Sequence, residues 1–590
     1  LERRSRTGYD TRLLYSRTGG SPLFVTELLR YPELAGPADG DWTGPVRVPP
    51  SLHDAVAERI AHVGEQTAEL LAQGAVLGAG FSLDDVAALS GLGVEDCARR
   101  AGRALRAGLL VARGDSFRFA NDIVRRVAYE AAPEPVRVSR HRRAARLMEE
   151  RPEAAARHHA AAGDWLAAAG AWLAAGHTAH LAFANTEATE LLGKAVDAAR
   201  TAGDVRLLIE ILLRRGRAYT DLGRPDAARA DHEEALELAR DESDSELEAR
   251  ALEQLGWTAL YARDAMHAVD FAEQATELAE SAAAAPGALP SATLLLGRVR
   301  HWDGEYAGAE AAYNRVLAAE PDETTTALAL AYRGALLQHQ DRFAEARAVL
   351  ARAAVLCRRT GEFRPMLQTL FFTALARGDT GDFSGALRAL ENARRLIDAE
   401  KVGFYRAGIE TTTSWILQEV GQVDRAREHA ELAVELAHRG GGALELEQEL
   451  HALLAVADCD LLLGREESAG AAVAAAEPML ERSLPFRPRA AMRLLEMRSR
   501  WEPELAEALL DDARRYSSRK YEALALRTLG RPEEARAVAS TTGSDLLMAQ
   551  LGAPAERRAA LDRICTALPG RLRTSFQAGG RLTAPVPRTH

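Results

Sequence analysis

Small and apolar residues recur along most of this chain at an interval that helices set. In the stretch RRGRAYTDLGRPDAARADHEEALELA, from Arg214 to Ala239, Gly216 and Tyr219 fall on one stripe. Leu222-Gly223-Arg224 interrupts it, and Ala228, His232 and Ala235 fall on a second. Small or apolar positions three and four apart predict helices with one buried face, and the glycine between them predicts the turn. The same skeleton returns with Gly256, Ala268, Ala272 and Ala275, and again with Gly297, Ala309, Tyr313 and a closing Pro321. Further copies pair Gly334 with Ala346, Ala374 with Ala386, Ser414 with Ala426, Ala457 with Ala469 and, more weakly, Ala523 with Ala535. In each copy the two small residues stand 12 apart. Helices whose axes approach to roughly 8–10 Å need small side chains where they cross, so this spacing predicts antiparallel helix pairs. The second-helix alanines at 228, 268, 309, 346, 386, 426 and 469 advance by 40, 41, 37, 40, 40 and 43.

The pattern resembles the tetratricopeptide repeat, whose small-residue positions are matched by Gly216, Ala228 and Ala235 and their counterparts. The period exceeds the usual length of about 34 for that repeat, which implies longer helices. The expected fold is all-α: a tetratricopeptide-like superhelical solenoid over residues 201–570, preceded by a small winged-helix domain. An irregular helical bundle is the alternative.

The winged helix is expected over residues 45–135. A helix follows Pro49-Pro50 from Ser51 to Val63, a second reads over Phe81 to Leu89 with Ser82 as its N-cap, and a third runs from Val94 to Ala107 after Gly91-Leu92-Gly93. A hairpin then turns at Gly114 between Leu110-Val111-Ala112 and Phe117-Arg118-Phe119. Residues 136–200, helical and rich in alanine, read as a bridge, and residues 571–590 as a flexible tail.

Composition agrees with helices. Hydrophobic residues make up 47% of the 590 positions and aromatics only 6%, so alanine and leucine, which lose little side-chain entropy in a helix, carry the apolar content. A net charge of -11 argues against a surface that binds nucleic acid throughout. Cys97, Cys357, Cys459 and Cys565 lie too far apart for a zinc motif or a disulfide framework, and a reduced cytoplasmic setting is the simplest. No apolar run is long enough to span a bilayer, so no membrane partner is expected. The chain opens on Leu1, and we expect it to be part of a longer protein.

A further resemblance rests on motif order. Thr18-Gly19-Gly20-Ser21-Pro22-Leu23-Phe24-Val25-Thr26-Glu27-Leu28-Leu29 resembles the TGGNPLFVTELL signature that ends the nucleotide-binding region of STAND-class signalling ATPases. VPPSLHDAVAERI, the expected winged helix and FRFANDIVRRVAYE continue in the order of that family. Antibiotic-regulator proteins of actinobacteria and LuxR-type large ATP-binding regulators share this layout. The resemblance implies that residues 1–40 are the remnant of a nucleotide-binding lid. It also implies that Gly20 and Pro22 pack against adenine and that Asn121 stands near the phosphates, where the family usually has histidine. Asn donates a hydrogen bond but carries no charge.

No GxxxxGK[ST] loop is present, so no set of backbone N–H groups cradles a phosphate here. No cofactor is therefore expected in this chain, and ATP or ADP would belong to a longer parent. No Ser/His/Asp or Cys/His arrangement is legible, and an enzyme is not expected. His158-His159 and His177 with His180 lack a Cys or carboxylate at ligand spacing and read as packing residues, so no metal site is expected.

Two surfaces remain. Arg99, Arg103 and Arg106 share one face of the third helix and could read a DNA groove. The acidic neighbours Asp84, Asp85, Glu95 and Asp96 favour an intramolecular role instead, with DNA contacted only through another domain. A second basic run, Arg137, Arg140, Arg142, Arg143 and Arg146, reads as a solvated helix face.

In a tetratricopeptide-like pair the first helix lines the groove through positions one, four and five after the crossing residue. These are Arg217, Thr220 and Asp221; Trp257, Leu260 and Tyr261; Arg298, His301 and Trp302; Ala335, Gln338 and His339; and Trp415, Gln418 and Glu419. Three tryptophans on one inner surface need a cover, either a ligand or the neighbouring repeats. The expected function is the effector-sensing and autoregulatory region of a STAND-type bacterial transcriptional regulator. It would bind a small effector, peptide or protein in the groove, signal to an upstream nucleotide-binding domain, and oligomerise on activation. A passive protein-docking scaffold is the alternative.

Overall fold

The computed structural model describes residues 25, 50–182, 184–262, 264–281, 288–360, 363–400, 405–440, 443–481, 486–579 and 582. Among these are 30 α-helices, one short 3-10 helix and three strands, so the chain is all-α in class. Gly20 and Pro22 lie outside the described residues. The chain divides into two compact units, one holding the described residues to Ala179 with Glu187–Ile211, the other His180–Thr186 with everything from Leu212 onward.

In the first unit, helices Pro50–His62 and Glu65–Leu77 lead to strand β1 (Gly80–Ser82). Helices Leu83–Ser90 and Val94–Arg106 follow, then β2 (Leu110–Arg113), β3 (Ser116–Phe119) and helix Asp122–Glu130. The sheet order is β1-β3-β2, antiparallel throughout, with Phe81 opposite Phe117 and Leu110 opposite Phe119. Phe81 begins no helix; it is a strand residue whose ring presses on Gly74, where a Cβ would lie 2.8 Å from its Cδ1. Ser82 caps the following helix by accepting the Asp85 N–H at 3.0 Å.

Beyond Glu130 the same unit already contains helix pairs: Glu134–Leu147 with Pro152–Ala161, and Trp165–Leu181 with Asn185–Ala202. Ala144 with Ala156 and Gly176 with Ala188 repeat the spacing of 12, and the three alanines are 0% exposed. The bridge is therefore built on the same crossing rule as the repeats. Its arginines are not a bare solvated face. Arg142 is bidentate to Asp164, Arg140 pairs with Glu69, and Arg143 donates to the Ala88 carbonyl.

The second unit continues with Pro225–Asp241 and then with pairs. Ser245–Tyr261 meets Ala265–Glu280, Ala288–Asp303 meets Tyr306–Ala318, Glu323–His339 meets Phe343–Thr360, and Phe363–Asp379 meets Phe383–Glu400. Arg406–Glu419 meets Val423–Gly440, and Ala443–Leu462 meets Glu466–Ala476. Three shorter pairs follow, Arg487–Arg498 with Leu505–Arg515, Arg519–Thr528 with Pro532–Ser540, and Asp545–Leu551 with Pro554–Ala567.

The second-helix alanines 228, 268, 309, 346, 386, 426, 469 and 535 are all 0% exposed, as a crossing point requires. Gly216, Gly297 and Gly334 before them make room for a large side chain sixteen residues on. A Cβ at Gly297 would meet Tyr313 Cε1 at 2.7 Å, and one at Gly334 would meet Leu350 Cδ2 at 2.5 Å. Within the pairs the turn residue is left-handed: Gly223, Gly304, Gly381, Gly421, Gly464 and Gly530 all have positive φ, and Asp341 takes the same place at φ 59°.

Late helices return to these turns. Gly304 faces Pro488 and Tyr516, and Gly381 faces Ile564 and Asp545, leaving no space for a Cβ. Asp341 accepts the Ser518 hydroxyl at 2.6 Å, the Lys520 N–H at 2.9 Å and Arg489 Nη1 at 3.2 Å. The Ser544 hydroxyl donates to the Asp379 carbonyl, and Gln422 Nε2 to Ser575 Oγ at 3.2 Å. The inner face of the later repeats is thereby walled in. The expectation of a flexible tail over 571–590 fails at its start, because Gly570–Gly579 is a helix and Phe576, 2% exposed, shares a core with Phe383, Ile564 and Leu582.

Candidate functional site

First helices alternate with second helices along the second unit, and the first helices supply most of the inward-facing residues. Seven of them, from Glu323–His339 to Asp545–Leu551, line one cavity of about 590 Å³. That is ordinary for a small-molecule site. Of the expected groove residues, Gln338, His339, Trp415, Gln418 and Glu419 are in its wall.

The polar centre is built on Asp379, 3% exposed, which accepts Gln338 Nε2 at 3.0 Å and Lys520 Nζ at 2.5 Å. Lys520 also stands 5.2 Å from the centroid of the Trp415 ring. Burial pulls the Lys520 ammonium down, and Asp379 beside it more than restores it, leaving its pKa above the ordinary value. The Trp415 ring lies against Gly378, where a Cβ would meet its Cζ3 at 2.6 Å. Glycine there is what lets the indole lie flat. Arg489 is treated the same way: burial lowers it, and Asp341 with Tyr521 and Asp379 raises it further. Arg493 pairs with Asp458 and, at 2.6 Å, with Glu496.

Arg298, His301 and Trp302 sit elsewhere, and as groove-lining groups they are a correction. All three are buried, at 3%, 0% and 7% exposure. Phe486 covers them, its ring 4.9 Å from His301 and 5.7 Å from Trp302, while Tyr261 meets Trp302 edge-on at 6.1 Å. Trp257 stacks on Tyr261 at 5.9 Å and donates from its indole to Glu253 at 3.1 Å. Rings of the chain itself thus cover these tryptophans, each such pair contributing about 0.5–1.5 kcal/mol beyond burial. His301 Nε2 and His339 Nδ1 are 3.1 Å apart. Burial first, then neighbouring cations, holds both imidazoles well below their ordinary pKa, so both are neutral. Asp221 is tied to Arg364 at 2.5 Å and lies 3.7 Å from His180, while Arg217 is exposed.

In the first unit, the Asn121 side chain accepts the Val124 N–H at 2.9 Å, which makes it a helix N-cap. Arg99, Arg103 and Arg106 are exposed, with Arg99 paired to Asp96. His141 and His158 meet at 3.0 Å, each pushed down to about 4, mainly by burial.

Asp379, Glu447, His451, Arg489, Arg493 and Lys520 are cavity residues that sequence reasoning missed. The crossing-residue rule, applied to the copies at Ala374 and Ala457, yields Leu375 and Asp379, then Asp458, Leu461 and Leu462, all of which line the cavity. Glu447 precedes Ala457 by ten residues and Lys520 precedes Ala523 by three, both on the side of the crossing that the rule does not read, and Arg489 lies in a pair without a crossing residue legible in the sequence.

Residues 207–281 match the tetratricopeptide repeat family. No curated protein matches the chain. Among solved structures, a Rap protein complexed with Competence and Sporulation Factor is 15% identical, with a TM-score of 0.41 over 62% of this chain and 99% of that one. A STAND protein with a tetratricopeptide repeat sensor from Pyrococcus horikoshii is 13% identical, at 0.37 over 80% and 73%. NprR in complex with its cognate peptide NprX is 11% identical, at 0.38 over 56% and 97%. All three superpose only loosely. The chain is an array of tetratricopeptide-like helical repeats, and at residues 207–281 it matches that repeat family itself.

Proposed function

We propose that this chain is the effector-sensing region of a STAND-type transcriptional regulator, binding a ligand inside its repeats and catalysing nothing itself. The observation that carries this reading is the cavity walled by seven first helices, with a charged centre at Asp379 and Lys520 and an indole at Trp415. A passive docking scaffold has no need of a walled interior.

Ligand binding shifts a conformational equilibrium only by its differential affinity for the two states. Here the bistable element is the closure of late helices on Asp341, and a ligand held between both walls favours the closed state. The helix–strand region from Pro50 to Glu130, which we read as a winged helix, relays that state to a nucleotide-binding segment encoded before Leu1. DNA is contacted through another domain, and the setting is cytoplasmic.

Two measurements test this. The gene upstream of Leu1 should encode a GxxxxGK[ST] loop, and its absence removes the STAND reading. Fluorescence of the chain should change on addition of the cognate effector from a metabolite library, and Trp415→Phe should erase the change. A library without any such effector removes the sensor reading.

A further inference from the structure

We propose that the cavity takes a small aromatic carboxylate and that Arg298 receives its charge; this deepens the effector-site reading above and rests on it. Arg298 is 3% exposed, no carboxylate pairs with it among the described residues, and its Nε and Nη1 have no hydrogen-bond partner. Rings surround it instead: Tyr332 at 4.5 Å, Phe486 at 5.0 Å and Trp302 at 5.5 Å from the guanidinium carbon. Ring faces offset part of the desolvation of a cation but do not supply the missing counter-ion.

The cavity wall, by contrast, is balanced. Five carboxylates and five arginine or lysine side chains line it, and the pair partners Asp341 and Arg500 add one of each sign. His339 is neutral. Arg298 thus adds a positive charge that no carboxylate of this wall is paired with, which calls for one negative charge on the occupant.

Phe486 is the partition between them. Its ring lines the cavity, and it also packs on Arg298, on His301 and, at 4.8 Å, on His339. Its backbone is left-handed at φ 53°, a conformation that bulky residues rarely keep without being held there. An acid that moves this ring aside gains the planar fork of Arg298, which matches a carboxylate in two hydrogen bonds. The aromatic body of the acid then rests among Phe371, Phe372 and Trp415, which line the cavity.

The test is calorimetric titration of the full chain with naphthoate and with naphthamide, its uncharged counterpart. The acid should bind at least about tenfold more tightly, the ratio expected for a hydrogen-bonded charge. Arg298→Met should erase that preference, leave the amide affinity unchanged, and not lower the melting temperature, since it removes a buried cation that lacks a counter-ion. Arg298→Gln should do the same if the methionine variant misfolds. Phe486→Ala should tighten the acid. Equal affinities, no binding of the acid, or a preference that survives both Arg298 variants overturns the proposal. The cavity reading is separated by Trp415→Ala. If the probes bind equally and both are lost in that variant, the cavity stands and the role of Arg298 falls. If neither probe responds to it, both fall.

Discussion

Helices Ala288–Asp303 and Arg406–Glu419 hold equivalent places in their pairs and turn equivalent positions inward, yet one inner surface is filled and the other hollow. At the first, Phe486 and Tyr261 close over Trp302 and His301. At the second, the half-buried Trp415 ring lines the cavity, with Gly378 beneath the indole. Position in the repeat decides which side chains point in. Whether they end in a core or a cavity is decided by a residue from a distant repeat.

The largest effect should come from undoing the wall of the hollow stretch. Asp341→Ala leaves Arg489 buried without its carboxylate and should cost about 3–5 kcal/mol of unfolding free energy by urea titration. A loss under about 1 kcal/mol would mean that the late helices are held by apolar contact alone.

The buried imidazoles beside and within the filled stretch should respond to acid. His232 is pushed down to about 4, and His301 and His339 well below 6.5, in each case chiefly by burial. Below 6.5 the unfolded chain takes up protons that the folded chain refuses, so stability is full above that pH and falls as pH drops toward the folded values. At about pH 5.5 His232 should subtract roughly 1.4 kcal/mol, and His301 and His339 should deepen the loss in the same direction. Urea unfolding at about pH 7.5 and 5.5 measures this, and His301→Gln with His339→Gln should flatten the slope.

Gly378→Val should push the Trp415 ring off its seat, costing about 1–3 kcal/mol and shifting the emission of that tryptophan. The smallest change belongs to the packed side. Tyr313 is 0% exposed, its hydroxyl has no hydrogen-bond partner, and burial holds the phenol neutral far above its ordinary range. Tyr313→Phe should therefore be neutral or stabilising, within about 1 kcal/mol of the parent. A clear loss would show that the hydroxyl is paired, with Arg298 or with a buried water.

The repeats were legible because a crossing point tolerates only small residues, which leaves a spacing of 12 in the sequence from Gly216 to Ala469. The same mark stands at Ala144 and Gly176, where the alanine-rich background hides it. The pairs Arg487–Arg498 with Leu505–Arg515 and Asp545–Leu551 with Pro554–Ala567 are shorter and depart from the pattern, and they escaped it. The inner positions were legible in kind. What was not legible is contact between repeats far apart in sequence: nothing near Trp302 announces Phe486, and nothing near Asp341 announces Ser518 and Lys520. The region from Pro50 to Glu130 was readable in its hairpin and in the Ser82 cap, whereas β1 is three residues long and carries no periodicity.

Open helical arrays gain or lose units readily, because each unit touches only its neighbours. This one has given up that freedom. The turn at Gly304 is matched to Pro488 and Tyr516, Asp341 to Arg489 and Ser518, Gly381 to Asp545 and Ile564, and Gln422 to Ser575. Adding or deleting a single unit between residues 423 and 487 would set all four matches out of register at once. The number of repeats in that stretch is therefore as constrained as any side chain in it.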